Sequence, residues 1–144
     1  MKTRRLVADD LPAVVSIQKG ITRSEPSSRW QEMLARHIGS GERAGFVAEE
    51  DGQVVGFIIG EVKVGGFGAD LTGWIEMVGV RPERMGTGIG QALAKRVCQY
   101  FRSEGVLDIC TSVRWDSGDM LAFFKSQGFA QSPFINLLLR LTES

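Results

Sequence analysis

The stretch VGVRPERMGTGIGQALAKRV, residues 78–97, sets Gly86, Gly88 and Gly90 at every second position between an apolar run and an amphipathic one. WIEMVGV reads as a strand, and Ile89, Leu93, Val97 and Phe101 recur on one face of a helix that ends near Gly105. A strand that feeds a helix through glycine requires a fold mixing the two elements. It also marks a helix start, whose unpaired N–H groups and positive dipole end attract anions, phosphate above all. Two phosphate motifs fail on spacing: neither Gly86 nor Gly90 is followed by Lys and then Ser or Thr, as a P-loop needs. A dinucleotide fingerprint counted from Gly86 or Gly88 reaches Gln91 or Leu93 where its third glycine belongs. The alternative without a ligand is a tight turn with close helix packing, at the entropic cost that three glycines carry.

The other segments extend the alternation of elements. TRRLV is β-capable, and Asp9 or Asp10 precedes a helix through LPAVVSIQKGI with Pro12 in its first turn. After the turn SEPSS, Ser27 or Ser28 caps a second helix that carries Trp30, Met33, Leu34 and Ile38 at helical spacing. GFVAEE and QVVGFIIGEVKV flank Asp51-Gly52, a strong type I′ hairpin signal. GGFGADLTG reads as a loop, VLDICTSV as a strand, Asp116 to Gln127 as a helix stopped by Gly128, and FINLLLRL as a last strand, with a short extra strand near Phe129. The order β, α, α, β, β, β, α, β, α, β predicts an α+β or mixed α/β fold around a central sheet, as one domain over residues 1–144.

Seventeen basic and seventeen acidic residues give a formal net charge of zero, so no global field draws the chain to nucleic acid or to an anionic membrane. VADD follows MKTRRL in place of an apolar h-region, and no stretch reaches the length of a membrane span, which predicts a cytoplasmic protein. Cys98, Cys110 and the single histidine, His37, form neither a disulfide framework nor a zinc cluster, so no metal is expected and both thiols are expected reduced and buried. His37 is a base or, as a lone histidine beside Arg36 more often is, a surface residue.

Val80-Arg81-Pro82-Glu83-Arg84-Met85-Gly86-Thr87-Gly88-Ile89-Gly90 resembles the acyl-CoA loop of the GNAT superfamily of N-acetyltransferases, V-x-P-x-x-R-G-x-G-I/L-G/A. Asp51-Gly52-Gln53-Val54-Val55-Gly56-Phe57 is similar to that family's hairpin, and Leu121 to Phe129, LAFFKSQGF, to its A-x-x-Y-x-x-x-G-F helix end. The likeness covers most of the chain and is weakest from about Arg23 to Gly45. It implies a mostly antiparallel mixed sheet, flanked by about four helices and splayed open after the strand Trp74 to Val80, with the cosubstrate acetyl-CoA in the opening. The main chain of Val78, Gly79 and Val80 would hold the pantetheine arm. N–H groups from Met85 through Gly86, Thr87, Gly88, Ile89 and Gly90 to Gln91 would hold the pyrophosphate. The implied reaction is direct attack of a primary amine on the thioester, with no covalent enzyme intermediate and no metal. The implied partners are a small-molecule or peptide amine and, as an option, a second copy of the chain.

Three positions depart from the family pattern. Met85 stands where an arginine or glutamine is usual, and Arg84, one residue earlier, either swings in to replace that guanidinium or, the commoner case, is an exposed loop arginine. Phe124 replaces the tyrosine that protonates the departing thiolate, and Ser117 stands where asparagine is common. Tyr100 lies on an apolar helix face and is expected in the core. The candidate base is Glu76: strand alternation places Trp74, Glu76, Val78 and Val80 on one face, a carboxylate among apolar neighbours. Its alternative is a strand-end glutamate, solvated or paired with an arginine. The N–H of Val78 would hold the oxygen that gains charge. Trp115, Asp116 and Asp119 either touch the amine or serve the helix start, Gly65, Gly66 and Gly68 form a lip or a plain hairpin loop, and Lys95 and Arg96 read as a solvated helix face. The rival class is a non-catalytic acyl-CoA sensor, which Phe124 and Met85 keep open. A nucleotide-binding regulatory domain is the weaker third.

Overall fold

Among the described residues, five strands pair in chain order into one sheet: β1 (Lys2–Arg5), β2 (Arg43–Glu50), β3 (Gln53–Val64), β4 (Leu71–Val80) and β5 (Asp108–Thr111). The first four are antiparallel to their neighbours, and β5 is parallel to β4. The helices are α1 (Leu11–Thr22), α2 (Ser28–Ala35), α3 (Ile89–Ser103) and α4 (Gly118–Ser126). This is the expected α+β class with a mostly antiparallel open sheet and, among the described residues, four helices. The computed structural model describes residues 1–39, 41–65 and 70–142, so the expected glycine lip at Gly66 and Gly68 lies outside the described residues. The chain divides into two compact units, residues 1–112 and 113–144.

Local chemistry accounts for most element ends in the first unit. Asp51 and Gly52 both take positive φ, 51° and 77°, as a type I′ turn between β2 and β3 demands. The Ser27 hydroxyl accepts the Trp30 N–H at 3.1 Å and starts α2. Asp10 precedes α1, but its carboxylate does not cap the helix. It takes both Arg4 nitrogens, at 2.7 and 2.9 Å, and the Val7 N–H at 2.9 Å, which ties the start of α1 to β1. The pair is bidentate and Asp10 is buried, so a cation from the strand outcompetes the helix amides.

The sheet has two covered faces. Leu6, Val14, Ile17 and Leu34 pack with Val47, Phe57 and Ile59 on the side of α1 and α2. Ile89, Leu93, Val97 and Phe101 of α3 cover the other side, as their helical spacing predicts. The Phe101 ring lies directly on the strands: a Cβ at Gly73 would meet it at 2.8 Å, as would one at Gly60. These glycines serve close approach, and alanine at either would push an aromatic ring out of a full core.

In the second unit, α4 starts two residues later than expected, at Gly118. The expected last strand FINLLLRL and the short one near Phe129 do not form: residues 129–142 carry no strand. Ile135, Leu137, Leu138, Leu139 and Leu141 are all exposed. A strand exists only through main-chain pairing, and among the described residues of this unit there is no second strand to pair with.

The Arg4–Asp10 pair generates a stability prediction. Asp10→Asn keeps the shape but removes the charge, and should cost about 2 kcal/mol in urea unfolding at pH 7. The hydrogen bonds from Arg4, helped by the Val7 N–H, hold the Asp10 carboxyl below its ordinary value of 3.8 against the opposing effect of burial. Its stabilisation is therefore complete above pH 3.8 and is lost as pH falls through the lower folded value, so wild type and variant should converge in strong acid.

Candidate active site

The centre of β4 is irregular. Ile59 and Gly60 of β3 face Met77 and Ile75, which leaves Glu76 as an extra residue, a β-bulge. Cross-strand partners share a face, so Trp74 with Glu61, Met77 with Ile59 and Gly79 with Phe57 point toward α1 and α2. Ile75, Val78 and Val80, paired with Gly60, Ile58 and Gly56, point toward α3, since side chains added at Gly56 and Gly60 would meet that helix. The expectation that Trp74, Glu76, Val78 and Val80 share one face is thus corrected: the inserted residue shifts the alternation by one. Glu76 is exposed and does not sit among apolar neighbours. Its carboxylate lies 3.5 Å from Lys63 Nζ, an ion pair with a lysine where an arginine was the alternative.

At the bulge the sheet opens. The last residues shared by β4 and β5 are Ile75 and Thr111, whose hydroxyl donates to the Ile75 carbonyl at 3.0 Å. From Glu76 to Val80, β4 is paired with β3 alone. The Arg81 N–H donates to the Val55 carbonyl at 2.9 Å, so the two-residue period turns the Gly79 main chain toward β3 and leaves that of Val78 and Val80 on the open edge. The expected trio that holds an arm of the ligand is reduced to Val78 and Val80 by this period.

Beyond β4 the chain turns into α3. Gly86 and Gly88 have φ of 78° and 90°, and a Cβ at either would meet nothing within 4 Å. Left-handed backbone, rather than packing, demands glycine at both. The Met85 N–H donates to the Pro82 carbonyl at 3.3 Å, which removes it from the expected anion-binding set. No hydrogen bond among the described residues takes the N–H of Gly86, Thr87 or Gly88, and those of Ile89, Gly90 and Gln91 belong to the first helical turn, before the Ala92 N–H meets the Gly88 carbonyl. The Thr87 hydroxyl donates to the Arg84 carbonyl at 2.6 Å and steadies the turn. With the dipole of a 15-residue helix behind it, the run from Gly86 to Gln91 fits a pyrophosphate. Met85 is exposed. Arg84 is not an exposed loop arginine: its guanidinium pairs with Glu50 at the end of β2.

Sequence reasoning missed the burial of His37. It is 3 % exposed, where a surface position was expected, because Trp30, Leu34 and His37 fall on one apolar helical face at spacings of four and three. That spacing was the available signal. Nδ1–H donates to the Met33 carbonyl at 2.9 Å, so Nε2 carries the lone pair, and it has no partner. Burial holds the imidazole below its ordinary 6.5, with Arg43 adding to the effect and the Met33 carbonyl, Glu76 and Glu61 opposing it. His37 and Glu76 line one cavity of about 200 Å³ with Arg36, Arg43, Glu61 and Lys63.

The remaining candidates divide between core and surface. Tyr100 is buried as expected, with its hydroxyl donating to the Gly41 carbonyl. Arg96 is not a solvated face residue, since its guanidinium stacks 4.6 Å from the Phe46 ring centroid. Both free cysteines are half-buried, and burial pushes their thiols up. In the second unit, Ser117 stands at the N-cap position of α4 without a capping bond from its side chain. Asp116 pairs with Arg114 at 2.8 Å, and Trp115 is exposed. Phe124 is buried between the rings of Phe123 and Phe129, at 5.1 and 5.2 Å. Among the described residues no helix is long and apolar enough to cross a membrane, and no three His, Cys, Asp or Glu side chains gather as metal ligands.

A family model described as the Acetyltransferase (GNAT) family matches residues 11–129. Over 89 residues the chain is 36% identical to a mycothiol acetyltransferase of Amycolatopsis mediterranei (strain U-32), a match covering 60% of this chain and 30% of that protein. A mycothiol acetyltransferase of Kocuria rhizophila is 32% identical over 84 residues, covering 58% and 28%. The matches thus span less than a third of the length of these curated relatives. Among solved structures, AAC(6')-Iy in complex with the bisubstrate analogue CoA-S-monomethyl-acetylneamine gives a TM-score of 0.84 at 15% identity over 98% of each chain. The aminoglycoside antibiotic 6'-N-acetyltransferase AAC(6')-IG of Acinetobacter haemolyticus gives 0.82 at 14%, over 99% of this chain and 100% of that one. These two likenesses establish the fold.

Two measurements check the site. Gly88→Val forces a β-branched residue into left-handed backbone at a cost of about 1–2 kcal/mol and places a side chain where an anion would sit; acetyl-CoA affinity by calorimetry should fall at least about tenfold in a variant whose circular dichroism stays native. Because the chain has one histidine, its imidazole nitrogen resonances report His37 alone. They should show the Nδ1–H tautomer and a midpoint below 6.5. The unfolded chain takes up that proton first, so stability should decline as pH falls from 6.5 toward the folded value.

Proposed function

The chain belongs to the GNAT acetyltransferase family, and on that premise we propose that it transfers acetyl from acetyl-CoA to a primary amine by direct attack on the thioester. One observation carries the reading: β4 loses its second neighbour after Ile75, and its free edge runs to Val80, a few residues ahead of the unclaimed N–H groups from Gly86 to Gln91. An acyl-CoA has the matching chemistry, an amide-bearing arm for a strand edge and a pyrophosphate for a helix start. It supplies an activated acetyl carbonyl.

The residues of this chain supply the rest. Val78 and Val80 present main-chain donors and acceptors to the arm. Glu76, held out of the sheet by the bulge, takes a proton from the incoming ammonium, which frees the nitrogen lone pair. A C–N bond then forms as the C–S bond breaks, and the Val78 N–H donates to the carbonyl oxygen while that oxygen gains charge. The thiolate leaves with the sulfur electron pair, and the nitrogen, which still carries one proton more than an amide holds, gives that proton to water. Phe124 has no proton to give, and none is required from the protein: a thiol of pKa about 8.5 is a tolerable leaving group, and water supplies its proton. Orientation of the amine against the thioester provides much of the remaining acceleration.

The second reading, a non-catalytic acyl-CoA sensor, is favoured by Phe124, whose buried ring takes the place of the family's proton donor. Thiol release from acetyl-CoA over a panel of primary amines separates the two. Release with at least one amine is the expected result, and binding without release to any amine would establish the sensor. For an accepted amine, Glu76→Gln should lower kcat about a hundredfold with acetyl-CoA affinity nearly constant. Phe124→Tyr should be tolerated and raise turnover a few-fold at most. Transfer that appears only in Phe124→Tyr would show that the missing donor silences the wild type.

A further inference from the structure

The cavity at Glu76 has a composition that selects its occupant. Its walls hold three cations, Arg36, Arg43 and Lys63, against two carboxylates, Glu61 and Glu76. Arg43 lies 3.7 Å from Glu61 and Lys63 lies 3.5 Å from Glu76, both loose, partly exposed pairs of the kind worth little and readily exchanged. Among the described residues no ion pair engages Arg36. His37 lines the same cavity, and its Nε2 is a buried acceptor without a donor, an unfavourable state until one arrives. At about 200 Å³ the space falls below the roughly 300 Å³ at which pockets for larger ligands begin.

We propose that this cavity is the acceptor subsite and that its ligand is a small zwitterion of the α-amino acid class. The carboxylate pairs with Arg36. The ammonium displaces Lys63 from Glu76 and gives one N–H to His37 Nε2, which leaves Glu76 in place to accept the proton lost before attack. The imidazole stays neutral in this role because a protonated ring would offer a second N–H and repel the ammonium. The charges that face it are Arg43, Glu61 and Glu76, with Arg36 and Lys63 on the same walls. A polycationic amine meets the opposite situation, three wall cations and no acceptor beyond the two carboxylates and the imidazole.

This inference rests on the acetyltransferase reading, and two separate readouts keep them apart. The twenty L-α-amino acids, their decarboxylated amines and spermidine are each added without acetyl-CoA while the His37 imidazole nitrogens are recorded, and thiol release from acetyl-CoA is then measured with the same compounds. At least one amino acid should move the Nε2 resonance and be acetylated with a kcat/KM at least about tenfold above its decarboxylated partner, the weight of one charge-assisted contact. Arg36→Gln should erase that preference through a raised KM for the amino acid, and Arg36→Lys should restore part of it. Native circular dichroism and retained acetyl-CoA affinity verify that the variants fold. An Nε2 shift with amino acids but no thiol release upholds the subsite and overturns the acetyltransferase reading. Transfer without preference for a carboxylate, or best with spermidine, overturns the subsite and leaves the enzyme standing. Silence of His37 toward every compound overturns the subsite as well.

Discussion

One extra residue in β4 organises everything around the candidate site. A strand with unbroken alternation would keep its side chains in register from Leu71 to Val80, but the insertion at Glu76 offsets the two halves. Before it, Trp74 and Glu61 share the face of α1 and α2. After it, Met77 and Gly79 take that face, and Val78 and Val80 turn to α3. The bulged residue is exposed while its neighbours Ile75 and Gly79 are buried in the packed layers, which is how a carboxylate reaches solvent and a cavity where β4 becomes an edge. Pairing with β5 ends one residue before the bulge, so the increased local twist and the free edge occur together.

The two faces of the sheet do different physical work. On the α3 side, glycines at 60 and 73 let Phe101 lie against the backbone, and Gly56 does the same for Ile89 and Leu93. Such close packing fixes where the first turn of α3 stands relative to β4, and an anion site built from main-chain N–H groups depends on that placement rather than on any side chain. On the α2 side, packing is tight under Leu34 and Phe57 and gives way to a charged cavity at Arg43, Glu61, Lys63 and Glu76. His37 sits where those environments meet, apolar enough to hold the ring neutral and close enough to the carboxylates to matter to whatever binds between them.

Charge follows the same division. Arg4 and the buried Asp10 form a part-buried bidentate pair that joins a strand to the following helix, and Arg84 and Glu50 join the turn before α3 to the end of β2. Both link segments distant along the main chain or across elements, where geometric specificity matters more than net energy. The cavity pairs are longer, 3.5 and 3.7 Å, and such contacts exchange with a ligand at little cost.

Much of this was legible in the chain itself, where the information is local. The Asp51-Gly52 turn, the Ser27 cap, the amphipathic face of α3 and the glycines at the strand-to-helix turn each depend on the conformational preference of a few neighbouring residues, and each stands where the sequence puts it. Tertiary structure decided what depends on partners. A bulge is a property of two strands in register, so the alternation of β4 alone could not reveal which face Glu76 takes. The apolar run 134–141 has strand composition, yet pairing, not composition, makes a strand. Likewise the fate of Arg84, the withdrawal of the Met85 N–H into its turn and the burial of His37 came from atoms many residues away or from a local hydrogen bond with a competing claim. Periodicity in a sequence states which residues can be buried together; only the folded chain settles which polar atoms are left over, here the N–H run from Gly86 and the lone pair of His37.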